Sequence, residues 1–113
     1  MNVTTSHIDG VTVLRVTEAR LTYPILSDFA TAVTGLIASG EKKILVDLSP
    51  VGYVDSATIG CLMDLYRQAA AAGGAFKLSG VQKRVETMLT LTGAQNFLEI
   101  HPDEPTAVKS FGA

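Results

Sequence analysis

The chain has 113 residues, 47% hydrophobic and 18% charged, with a formal net charge of -2. That balance fits one folded domain over residues 1–113 rather than a disordered polymer, and without a basic cluster it argues against attraction to nucleic acid or anionic membrane. A lone cysteine, Cys61, excludes an internal disulfide, and no leader pattern or bilayer-length apolar run is visible, so the expected setting is the reducing cytoplasm, with no membrane insertion.

Residues 2–7 and 11–16 read as two strands joined by Asp9-Gly10, a dipeptide suited to a tight hairpin. Residues 18–22 read as a loop, and Pro24 suits a first helical turn. Leu26, Phe29, Ala30, Val33 and Ile37 then fall at helical spacing, with Gly40 as the stop. Residues 44–48 are apolar on both sides of the alternation, as in a central strand covered on both faces. Ile59, Leu62, Met63, Tyr66 and Ala70 form a second helical stripe, ended by Gly73-Gly74. A short strand over 76–79 follows. Val81, Val85, Met88, Leu89 and Thr92 make a third helix closed by Gly93, residues 97–100 a brief edge strand, and residues 105–111 a last helix with Ala107, Val108 and Phe111 inward. This order predicts an α/β fold, with a mixed sheet of four to five strands and helices packed against it.

Chemistry is sparse along most of this frame. His7 and His101 each lack a partner at metal-ligand spacing, and Cys61 is alone, so no metal site is expected. Cys61 reads as a small core residue of the second helix, and Asp64 with Arg67 as a solvated pair on its outer face. Gly73-Gly74 and Gly80 match no nucleotide fingerprint and read as turns. Ser56 lacks the G-x-S-x-G elbow of a serine hydrolase. There remain Asp47, Asp55, Ser56 and Thr58. The strand 44–48 leads through Ser49-Pro50-Val51-Gly52-Tyr53-Val54 to Asp55-Ser56, where a helix begins. Asp and Ser are favoured helix caps, and a helix N-terminus also favours an acidic or phosphorylated side chain. By spacing alone, Ser56 is either a cap or a switch.

Val46-Asp47-Leu48-Ser49, then Tyr53-Val54-Asp55-Ser56 and Ile59-Gly60-Cys61-Leu62, resemble the signature of STAS domains, the anti-sigma-factor antagonists and their relatives. The likeness continues through residues 73–81 and 89–93 and covers essentially the whole chain. It implies a non-enzymatic partner-switching module of bacterial transcription control. An anti-sigma factor with serine kinase activity would bind the unphosphorylated chain, then phosphorylate Ser56, and a separate phosphatase would reset it. ATP and Mg belong to that kinase, so the chain itself carries no cofactor, and the family is commonly monomeric when free. Asp55 becomes the positioning neighbour of Ser56, and Asp47 holds the loop or meets the kinase. The family often reads Asp-Ser-Ser/Thr-Gly, whereas Thr58 replaces that Gly here and supplies a second hydroxyl acceptor in the same turn. With Asp47, Asp55, Ser56 and Thr58 as the expected partner surface, the alternative job for the same fold is a STAS module in a signalling scaffold or transporter complex, without kinase control.

Overall fold

Alternation decides which residues of the central strands face which layer, and the computed structural model, which describes residues 1–112, shows that division directly. In chain order the elements are β1 (Val3–Ile8), β2 (Val11–Val16), β3 (Arg20–Leu21), α1 (Tyr23–Ala38), β4 (Lys43–Asp47), β5 (Tyr53–Val54), α2 (Ser56–Ala71), β6 (Ala75–Ser79), α3 (Lys83–Leu91), β7 (Glu99–His101) and α4 (Glu104–Ser110). Five strands form one sheet in the order β1-β2-β4-β6-β7. The β1–β2 pair is antiparallel and the other pairs are parallel. The expected mixed α/β sheet is therefore present.

Leu14, Val16, Ile44, Val46, Phe76 and Leu78 point into the larger core, where Phe29 and Val33 of α1, Leu62 and Leu65 of α2, and Val85 and Leu89 of α3 meet them. On the opposite face, Val11, Val13 and Leu45 pack against Ala107 and Val108 of α4. Each fully buried Leu or Val of this kind stabilises by about 1.5–3 kcal/mol, which is why β4 is apolar on both sides. At the hairpin, Asp9 and Gly10 take φ of 51° and 80°, the left-handed pair that matches strand twist in a two-residue turn.

Four local expectations are corrected. The segment 18–22 is not all loop: Arg20–Leu21 forms β3, which pairs in parallel with β5 as a separate two-stranded sheet. Two residues are too few to show periodicity. The third helix begins at Lys83, because Gly80 takes φ +68° and Gln82 stays extended as the residue before the helix. The last strand is Glu99–His101 rather than 97–100. A short 3-10 turn over Ala94–Asn96 consumes the preceding residues, with Phe97 and Leu98 N–H groups bonded to the Ala94 carbonyl, and leaves Phe97 exposed. The inner stripe of α2 runs through Leu65 and Ala69, so Ala70 is exposed.

Candidate functional site

β5, outside the five-stranded sheet, delivers Asp55 as the residue before α2, with Ser56 as its first helical residue. Asp55 Oδ1 accepts the Thr58 N–H at 2.9 Å, capping one of the helix's free donors. Its other oxygen, Oδ2, accepts the Tyr23 N–H at 2.9 Å, where α1 begins. One carboxylate thus ties together the starts of two helices. The hydrogen bond from Thr58, foremost, and those from the Tyr23 and Thr58 N–H groups hold the Asp55 carboxyl below its ordinary value. Ser56 itself is exposed.

Thr58 is fully buried. Its Oγ1 lies 2.7 Å from the Leu21 carbonyl and 2.7 Å from Asp55 Oδ1. A hydroxyl carries one proton, which serves these two acceptors between them. Thr58 is therefore a clamp between α2 and β3. A group so enclosed is not open to a kinase, so the expectation of a second acceptor at Thr58 is withdrawn.

Asp47 ends β4 on the α4 face, away from α2, and is also buried. Its Oδ1 accepts the Ser49 N–H at 2.9 Å and its Oδ2 the Arg15 Nε–H at 2.7 Å, while Arg15 Nη2 reaches Glu104 Oε1 at 3.1 Å. Asp47 holds the loop that leads to the site; with both oxygens engaged inside the fold, it is not placed to meet a partner. Gln82 Nε2 donates to the Ser49 carbonyl at 2.8 Å, and the Gly52 N–H to the Ala19 carbonyl at 2.8 Å. The segment before Ser56 is thus fastened from three sides.

A groove of about 580 Å³ opens between the starts of α1 and α2, lined by Tyr23, Pro24, Leu26, Ser27, Ala57, Cys61 and Asp64. Tyr23 is 74% exposed there. Cys61 is partly buried on this wall, and burial pushes its thiol upward, toward the protonated form. Asp64 and Arg67 are both exposed on the outer face of α2, as expected of a solvated pair, and Asp64 accepts the Gln68 amide at 2.8 Å. Among the described residues, no three His, Cys, Asp or Glu side chains converge to hold a metal ion, and no helix is long and apolar enough to cross a membrane. His7 stands 3.8 Å from Glu41, and His101 2.6 Å from Glu99.

The structure brings together Asp55, Ser56 and Thr58 and separates Asp47 from them. It adds Arg15, Tyr23 and the Leu21 carbonyl, none of which the sequence singled out. Arg15 had a signal: the one charged residue of a mostly apolar strand, in register with Asp47 of the adjacent one. A backbone carbonyl and a backbone N–H carry no such signal.

Comparison with known proteins places the fold. A candidate anti-sigma factor antagonist from Thermotoga neapolitana is 32% identical over 62 residues, 55% of this chain and 55% of that protein. The match thus spans just over half the length of that relative. The structure of an anti-sigma-factor antagonist (STAS) domain protein from Planctomyces limnophilus superposes with a TM-score of 0.88 at 18% identity, covering 98% of each chain. Bacillus SpoIIAA in its phosphorylated form gives 0.72 at 14% identity, covering 96% of this chain and 98% of its own. These structures share the fold, and the STAS domain family matches residues 2–107. The chain belongs to the STAS domain family.

Proposed function

We propose that the chain is an anti-sigma-factor antagonist: a cytoplasmic, non-enzymatic binding module that an anti-sigma factor with serine kinase activity engages and then releases by phosphorylating Ser56. The observation that carries this reading is the exposed Ser56 at the first residue of α2, directly after the helix cap Asp55, in a chain similar to candidate antagonists.

The physical argument is one of local charge. A phosphate adds roughly -1.5 to -2 charges and three strong acceptor oxygens. At the start of a helix the dipole and free N–H groups favour that charge, so the fold tolerates it. Asp55 is already fully bonded to Thr58 and Tyr23 and does not need to move. A docked partner, however, would have to strip water from two adjacent anions. An unpaired buried charge costs about 3–5 kcal/mol, and about 1.4 kcal/mol is already tenfold in affinity. Release follows from repulsion and desolvation on an unchanged scaffold. A phosphatase acting on the exposed phosphate then restores binding.

The test is incubation with ATP and candidate serine-kinase anti-sigma factors from the same genome, read by intact mass and site mapping. The wild type should gain one phosphate, at Ser56, and lose partner binding; Ser56→Ala should bind and never be released by ATP. A Ser56→Ala protein that cycles like the wild type sinks the proposal, and a stable complex indifferent to ATP would instead support the scaffold or transporter role.

A further inference from the structure

Around the segment that carries Ser56, the cations are distributed in a way that folding does not require. Arg20 lies beside Tyr53 in the β3–β5 register, with its guanidinium carbon 4.4 Å from the centre of the Tyr53 ring. Both face outward, opposite to the buried Leu21 and Val54. α3 also packs against β5, and its first turn presents the exposed Lys83 and Arg84. Gln82, just before them, is bonded to the loop at Ser49.

Among the described residues, none of these three cations has a carboxylate partner; the ion pairs use Arg15 and Lys77 instead. Of the nearby carboxylates, Glu18 accepts the Asn2 N–H at 2.7 Å and both Asp55 oxygens are bonded, while Glu86, three residues beyond Lys83 in the first turn of α3, makes no ion pair with either cation. Lys83 and Arg84 also sit where the helix dipole disfavours positive charge. In a chain of net charge -2, three of its cations thus bracket one short strand. From Tyr53 to Ser56 is three residues, no more than about 11 Å of chain.

We infer that Arg20, Lys83 and Arg84 form a docking patch for an acidic protein surface on the partner, and that phosphate on Ser56 acts by opposing that acidic surface. The inference rests on the reading above and names the chemistry its partner must present. Arg20 is held extended by stacking on Tyr53, so it loses little freedom when a carboxylate arrives. The unmodified patch attracts acidic groups and speeds encounter. A phosphorylated Ser56 at its edge cancels most of that attraction and places a new anion against the partner's own. Three cations on an acidic chain make a poor nucleic-acid surface by comparison.

The probe is a glutamate decapeptide added at low salt to the isotope-labelled, unphosphorylated protein, followed by amide shifts. Perturbations should concentrate at Arg20, Tyr53, Lys83 and Arg84, and affinity should fall at least about tenfold in Arg20→Glu/Arg84→Glu while Arg67→Glu/Lys109→Glu binds as the wild type does, a difference of about 1.4 kcal/mol. Genetically encoded phosphoserine at position 56 should weaken the peptide further, without any kinase being involved. No binding, shifts spread evenly over all Lys and Arg residues, or tighter binding of a DNA decamer overturns the patch. Peptide binding unaffected by phosphoserine overturns its coupling to Ser56. Failure of a kinase to modify Ser56, with the peptide results intact, removes only the reading above.

Discussion

Asp55 Oδ2 accepts the Tyr23 N–H at 2.9 Å, so the carboxylate that caps α2 also fixes the first residue of α1. The site is consequently a junction of two helices and a small sheet. Its behaviour under mutation should be that of a junction, with structural and switching effects separable.

Thr58 is the interior member of that junction. Thr58→Val keeps the shape but deprives the Leu21 carbonyl and Asp55 Oδ1 of a shared proton. An unsatisfied buried group costs about 1–3 kcal/mol, and urea unfolding should show that loss at unchanged m-value. Thr58→Gly, which restores the residue common in the family, should cost more, because a helical glycine adds about 1 kcal/mol of backbone entropy. Phosphorylation of Ser56 should persist in Thr58→Val, since the exposed hydroxyl is untouched.

Asp55 should make stability pH-dependent with a definite sign. Its folded value is lowered, chiefly by the hydrogen bond from Thr58, from an ordinary 3.8. A lowered carboxylate contributes stability that is full above the unfolded value and is lost as pH falls through the folded one. Asp55→Asn should therefore be less stable than the wild type at neutral pH. The gap should close progressively below about pH 4, as seen in thermal melts across an acid series. A gap that widens on acidification would contradict the assignment.

Asp47 predicts a structural effect with no change in switching. Asp47→Ala leaves the Ser49 N–H without its acceptor and Arg15 with Glu104 alone. Arg15 is nearly half exposed, so solvent screens much of the charge loss, and the expected cost is about 1–3 kcal/mol. Partner affinity, measured well below the melting temperature, should stay within about threefold of wild type.

Gly80 should resist substitution. It holds φ +68°, and an added Cβ would stand 2.9 Å from the Ser49 Cβ and 3.1 Å from Asp47 Oδ1. Gly80→Ala combines an unfavourable backbone with two close contacts, at about 1–3 kcal/mol for the backbone strain alone. A melting temperature equal to that of the wild type would show that the loop at Ser49 yields freely.

Local chemistry was readable in the chain; long-range closure was not. Asp55 and Ser56 could be placed at the start of α2 because cap residues and the apolar stripe of Ile59, Leu62 and Met63 act over a few residues. The role of Thr58 could not, since its partner carbonyl on Leu21 is 37 residues away. β3 and β5 are two residues each and leave no alternation to detect. Asp47 was visible as a strand-end carboxylate, yet only the β2–β4 register reveals that Arg15 turns it inward. The five-stranded sheet was legible because its central strands are long enough to show which faces are covered. The last strand was misplaced by the 3-10 turn, which no hydrophobic period announces.

The pairing of β3 with β5 has a consequence for how such a domain diversifies. Because Arg20 and Tyr53 hang on a two-residue ladder outside the five-stranded sheet and face outward, their identities can drift without repacking the interior. The apolar layers keep the architecture while the outrigger sheet carries the proposed docking surface, so on that proposal one scaffold can acquire new partners by changes confined to a few exposed positions.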